Sequence, residues 1–190
     1  MLSSTLLTHL RIIVCIQDVI KVEGFENETP IISFQYRKGQ VLNVRGEKIN
    51  ECILAKAIKD ANNSLGVSIS DFCAAEDLML VNGKELNKPR YHIFIEVDAN
   101  DGDNDNNVIK EGDKVNRIYD SFLQKYSEVY ESYRRKDAIE LPVVHVVKKG
   151  AFEKLRLFAL NENTTGSITQ FKIPRVLKVK KFVQFLLKEK

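Results

Sequence analysis

The 190-residue sequence predicts an α/β protein built of α+β layers. Three features lead to that reading. Short β-branched and aromatic runs bounded by glycine, proline and asparagine read as strands. Longer segments whose apolar residues return every three or four positions read as amphipathic helices. The two kinds follow one another as strands, helix, strands, helix, strand and helix, an order that suits small layers of helix packed on sheet.

The first strands are DVIKVE (18–23) and PIISFQYR (30–37), joined by the turn GFENETP. Residues 41–44 are a short extended piece. A helix is expected over 47–65, with Ile49, Ile53, Leu54, Ala57, Ile58 and Ala61 on one side and Gly66 as its C-terminal cap. Two more strands, 68–81 and 90–97, flank the turn dipeptide Asn82-Gly83. Residues 1–98 therefore form a first segment. The acidic stretch 99–112, which contains ANDGDNDNN, is a loop or linker. Asp101, Asp103 and Asp105 imitate a calcium loop, but Asn106 stands where the loop glycine belongs and Gly112 where its glutamate belongs, so no metal is expected there.

Residues 113–190 form the last segment. A helix over 114–135 carries the stripe Val115, Ile118, Tyr119, Phe122, Leu123, Tyr126, Val129, Tyr130 and Tyr133, read as core rather than as a base-stacking face. LPVVHVV (141–147) is a buried strand, and a helix over 150–160 presents Phe152, Leu155, Phe158 and Ala159. A terminal helix turns Val179, Phe182, Val183 and Leu186 inward and its lysines outward. Before it comes SITQFKIPR (167–175), where Pro174 biases Ile173 to an extended backbone and so puts Lys172 on a loop or short strand. A lysine there could project into a cleft, but by residue type alone an ordinary solvated lysine is the better reading.

With 29 basic and 26 acidic residues and a net charge of +3, the chain has no basic footprint, and nucleic acid is not expected as a partner. Cys15, Cys52 and Cys73 are widely spaced and odd in number, which points to buried thiols in a reducing compartment rather than to zinc or disulfides. That favours the cytoplasm. The endoplasmic reticulum is the alternative, in which the sequons at Asn27, Asn62 and Asn163 would matter. The apolar start MLSSTLLTHLRIIVCIQDVI lacks a basic leader and is interrupted by Arg11, so it reads as part of the fold rather than as a signal. No run approaches the ~20 apolar residues of a membrane span. His92 and His145 are single strand histidines without a ligand neighbour in the sequence.

Four blocks stand in order: DVIKVEGFENETPIISFQYRKGQVLNVRGEK, PRYHIFIEV, VVKKGAFEKLRLFAL and SITQFKIPR. Together, from about Asp18 to the C-terminus, they resemble the Gretchen Hagen three family of acyl-acid amido synthetases, and VLNVRGEKINE with GAFEKLR resembles its animal branch. The resemblance implies the end of a β-rich large lobe, a hinge near 39–46, and a small mixed-sheet C-terminal domain of the adenylate-forming type that rotates over the site. It implies ATP and Mg in a complete enzyme, with a small carboxylic acid and an amine as substrates. It also implies a preceding ATP-binding lobe, whose phosphate loop has no counterpart here. The isolated chain is then expected to be inactive and to need no cofactor.

On the same resemblance Lys172 matches the catalytic lysine of the family's Gln-Tyr-Lys-x-Pro-Arg segment, with Phe171 replacing the tyrosine and Gln170, Pro174 and Arg175 retained. Asp18 matches the aspartate that holds the ribose hydroxyls, although Val14, Cys15 and Gln17 replace the Tyr, Arg and Gly before it. Lys48 matches a lysine after the hinge that helps bind the acceptor's carboxylate. The alternative is a non-catalytic, diverged or truncated binding or regulatory member, which the absent phosphate loop and the three replacements favour and the retained Lys172 opposes.

Overall fold

The computed structural model describes residues 18–37, 39–77, 88–98, 112–162 and 172–190. Outside the described residues lie the apolar start with Val14, Cys15 and Gln17, the Asn82-Gly83 turn, and the acidic run with Asp101, Asp103 and Asp105. So do Asn163, Gln170 and Phe171. The chain divides into two compact units, Met1–Gly39 and Gln40–Lys190.

In the first unit, β1 (Asp18–Glu26) and β2 (Thr29–Arg37) form an antiparallel hairpin. Its turn is narrower than GFENETP: Asn27 takes φ 54°, a left-handed conformation that asparagine tolerates better than most residues, and the strands run right up to the Asn27-Glu28 pair. Ile20, Val22, Phe25, Ile31 and Ile32 are exposed on it.

The second unit is a three-layer arrangement around one mixed sheet in the order β7-β6-β5-β8. β5 (Ile69–Glu76) runs antiparallel to β6 (Tyr91–Val97); β7 (Val143–Val147) lies parallel to β6, and β8 (Val176–Leu177) parallel to β5. Strands from both sides of the acidic run thus share one sheet. Successive strand residues face opposite ways, and the core divides accordingly. Ala74, Tyr91, Ile93, Ile95 and Val176 pack with α1 (Glu51–Leu65) and α2 (Asp113–Tyr126), while Cys73, Ala75, Phe94 and Leu177 pack with α4 (Ala151–Glu162) and α5 (Lys180–Lys188). Burial on both faces is why RYHIFIEV reads as a nearly continuous apolar run.

A small ladder of β3 (Val41–Leu42) and β4 (Ile49–Asn50) precedes α1. The helix starts at Glu51 rather than at 47, because Asn50 is its N-cap and accepts from the Ile53 N–H at 2.9 Å. Gly66, at φ 67° and ψ 30°, closes it as a left-handed cap, as the sequence predicts. Cys52, expected to be buried, is exposed, because Leu54, Ala57, Ile58 and Ala61 take the inward face.

The helix expected over 114–135 is two helices, α2 and α3 (Glu128–Arg135). Ser127 leaves helical geometry at φ −141° and ψ 98°, and its hydroxyl accepts from the Tyr130 N–H to start α3. The break resets the helical phase, so Tyr119, Leu123 and Tyr130 are buried while Val129 is 49% exposed. Val179 likewise is exposed rather than inward, because it caps α5 instead of belonging to it. Asn62 is buried and accepts from the Tyr119 hydroxyl, so its sequon is a core feature rather than a glycan acceptor.

Candidate functional site

Lys172 is exposed on an extended segment and has no hydrogen-bond or ion-pair partner among the described residues. The chain is rooted three residues later, at Arg175. The Arg175 carbonyl accepts from the Ala74 N–H at 2.8 Å, which starts the β5–β8 ladder. Its guanidinium donates to the Phe72 carbonyl at 2.7 Å and to the Asp71 carboxylate, and lies 4.3 Å from the centre of the Phe72 ring. Charged hydrogen bonds and ring stacking together suit arginine rather than lysine at this place. Pro174 fixes the backbone between anchor and lysine. Lys172 is thus an exposed cation, unpaired among the described residues, three residues from a firmly held anchor.

Lys48, also exposed and without a partner among the described residues, lies in the loop between β3 and β4, not on the following helix. The loop is held from inside. The Glu47 carboxylate accepts from the Val44 and Arg45 N–H groups, both at 2.8 Å, and the Asn43 side chain accepts from the Gly46 N–H at 2.7 Å. Lys48 takes φ 50°, a left-handed conformation costly for a side-chain-bearing residue. Such strain persists only where the surroundings impose it.

Asp18 opens β1 in the other unit, its backbone paired with Arg37. The described residues hold no group of three histidine, cysteine or acidic side chains placed to bind a metal.

The sequence reading missed a buried polar row on the α4/α5 face of the sheet. His92 on β6 and His145 on β7 meet, Nδ1 to Nε2, at 2.9 Å, and His92 Nε2 lies 3.1 Å from Asp77 Oδ1. The carboxylate sets the tautomers: His92 donates from Nε2 to Asp77, and His145 donates from Nε2 to His92 Nδ1. His145 Nδ1 is left buried without a hydrogen-bond partner in the described residues. Burial holds the His145 pKa down to about 3, helped by Lys190 and His92, and burial also lowers that of His92 against the pull of Asp77. Both shifts favour the neutral ring. At 3% exposure His145 is closed to a substrate and belongs to the core. The signal was hidden because the pair lies 53 residues apart and meets only through the parallel pairing of β6 with β7.

No helix among the described residues is long and apolar enough to cross a membrane. The family model for the GH3 family C-terminal domain matches residues 53–181, more than half of the chain. A mouse (Mus musculus) GH3 domain-containing protein is 32% identical over 173 residues, which are 90% of this chain and 30% of that protein. A 4-substituted benzoates-glutamate ligase, GH3.12, from Arabidopsis thaliana is 30% identical over 175 residues, 89% of this chain and 29% of that protein. Among solved structures, a GH3.15 acyl acid amido synthetase superimposes with a TM-score of 0.69 at 24% identity, over 92% of this chain and 30% of that one, which establishes the shared fold. This chain thus spans about 30% of the length of the relatives it matches. The three-layer unit with its mixed sheet and the family match across it agree, and the chain belongs to the GH3 (Gretchen Hagen three) family, of which it carries the C-terminal domain.

Proposed function

We propose that the chain is the C-terminal portion of an ATP-dependent, carboxylate-activating acyl-acid amido synthetase, which joins a carboxylic acid to an amine through an acyl-adenylate. The observation that carries this reading is Lys172, exposed and unpaired among the described residues, on a segment anchored at Arg175 within a GH3 family domain. ATP supplies the electrophilic phosphorus and the pyrophosphate leaving group. Negative charge grows on the phosphates as the carboxylate attacks, and a pre-placed lysine stabilises it without forming a bond. The hinge rotation that the family resemblance implies would bring Lys172 to that charge and later withdraw it. Asp18 would accept hydrogen bonds from the ribose hydroxyls, and Lys48 would pair with the acceptor's carboxylate. Mg²⁺, held mainly through phosphates and its own waters, is assigned no site on this chain.

The partner this reading requires is a preceding ATP-binding lobe. The exposed apolar residues of the β1–β2 hairpin support it, since a lone two-stranded hairpin is marginal in water and would gain from being covered. The isolated chain is inactive on this reading. The thiols of Cys52 and Cys73, unpaired among the described residues, support a reducing compartment, the cytoplasm, on this reading. In a polypeptide carrying both parts, Lys172→Ala should lower ATP-dependent amide formation by roughly a hundredfold or more while leaving stability within about 0.5 kcal/mol, as for an exposed residue. An unchanged rate would remove Lys172 from the chemistry and the proposal with it.

A further inference from the structure

We infer that Glu76 is a positioning residue that clasps the segment just after the unit junction to the segment carrying Lys172, so that the two move as one body and the pivot is Gly39. The inference rests on the reading of Lys172 as the residue that domain rotation delivers. Gln40 is the first residue of the second unit, and Gly39 before it has φ 88°, a conformation that glycine enters without strain. From Gln40 onward the chain is fastened rather than free. The Gln40 side-chain oxygen accepts from the Val176 N–H at 3.1 Å. Three residues on, the Asn43 N–H donates to Glu76 Oε1 at 2.7 Å, and the same oxygen accepts from the Lys178 ammonium. Two contacts thus tie residues 40–43 alongside residues 176–178.

The register explains why Glu76 serves. β5 and β8 pair Ala74 with Val176 and Ala75 with Leu177, so the next step sets Glu76 against Lys178. Glu76 is only 5% exposed, and a buried carboxylate is tolerable only when its oxygens are paired. Its donors come from two segments distant in sequence, so loss of one leaves the other joined to an under-paired buried charge. Glu47, bonded to Val44 and Arg45, stiffens the rest of the loop. Of the expected hinge region 39–46, this leaves Gly39 as the place where rotation costs least.

Amide exchange of the 190-residue chain, read by mass spectrometry, tests the clasp. Lys178→Met should speed exchange roughly tenfold in residues 40–47, which meet Lys178 through Glu76, together with residues 172–178. Exchange in α2 should not change, and Lys178→Arg should restore both segments. Should Lys178→Met fail to fold, Glu76→Gln, which keeps an acceptor for the Asn43 N–H and loses the ion pair, should open the same two segments. Acceleration confined to 172–178, or spread equally over α2, would overturn the inference. The readout involves no nucleotide, so failure of the clasp and failure of the synthetase reading are separate results.

Discussion

Acidification from pH 7 to pH 5 puts the buried histidine pair under a defined load. His145 is held at a pKa of about 3, against 6.5 for an ordinary histidine, mainly by burial. Between about 6.5 and about 3 the unfolded chain binds a proton that the folded chain refuses. Stability therefore rises with pH through that window and is lost as the pH falls. Integrated from pH 7 to pH 5, this one group removes about 2 kcal/mol, and His92, lowered in the same direction, adds to it. For a domain of this size about 2 kcal/mol lowers Tm by about 4–8 °C. The charges near the pair are Asp77, Arg90 and Lys190. Carboxylates elsewhere titrate as well, so the comparison is with His145→Phe, measured by calorimetry or urea unfolding at pH 7, 6 and 5. The variant starts less stable, because His92 Nδ1 loses its donor, but it should lose about 2 kcal/mol less than the native chain on acidification. Equal losses in the two proteins would refute the argument that His145 is buried and neutral.

Asp120 is buried and accepts from the Tyr130 hydroxyl at 2.7 Å, Arg134 Nε at 2.9 Å and Gln124 at 2.8 Å; Asp120→Ala, by leaving the Arg134 charge unpaired, should cost about 3–5 kcal/mol in denaturant unfolding. Nothing lies within 4 Å of where a Gly66 Cβ would sit, so Gly66→Ala should cost only the left-handed backbone strain, about 1–2 kcal/mol, with the helix content in circular dichroism unchanged. Burial holds the Cys73 thiol pKa well above its ordinary value, whereas Cys52 is exposed; iodoacetamide should therefore label Cys52 in the native chain and Cys73 only in denaturant, as peptide mass spectrometry would show.

What was legible in the sequence is what local periodicity and turn chemistry decide. The 3.6-residue rhythm marked α1, and Gly66 marked its end. The alternation and glycine spacing marked the β1–β2 hairpin. The Pro174 restriction marked Lys172 as lying on an extended segment. Much of what was not legible depends on partners far along the chain. β8 is two residues long and is a strand only because β5 lies beside it. The break at Ser127 falls inside an unbroken apolar stripe, so periodicity carried the helix through it and put Val129 inside. The same limit hid the His92–His145 pair and the Glu76 clasp, whose members stand 53 and 102 residues apart in sequence. Of the site residues, the setting of Lys172 was readable from its proline. The setting of Lys48 was not, because the helical spacing that starts at Ile49 drew the expected helix back to 47, whereas the N-cap is Asn50 and Lys48 stays in the loop that Glu47 holds.

If this chain is, as proposed, the lysine-bearing end of a larger ATP-dependent synthetase, the native polypeptide must be far heavier than the chain itself. Its mass can be measured in the source cells with an antibody against residues 115–190. A product far larger than the 21.8 kDa of this chain, as expected for a chain that spans about 30% of its relatives, is the predicted result. A product of 21.8 kDa would contradict the account and leave a non-catalytic member of the family in its place.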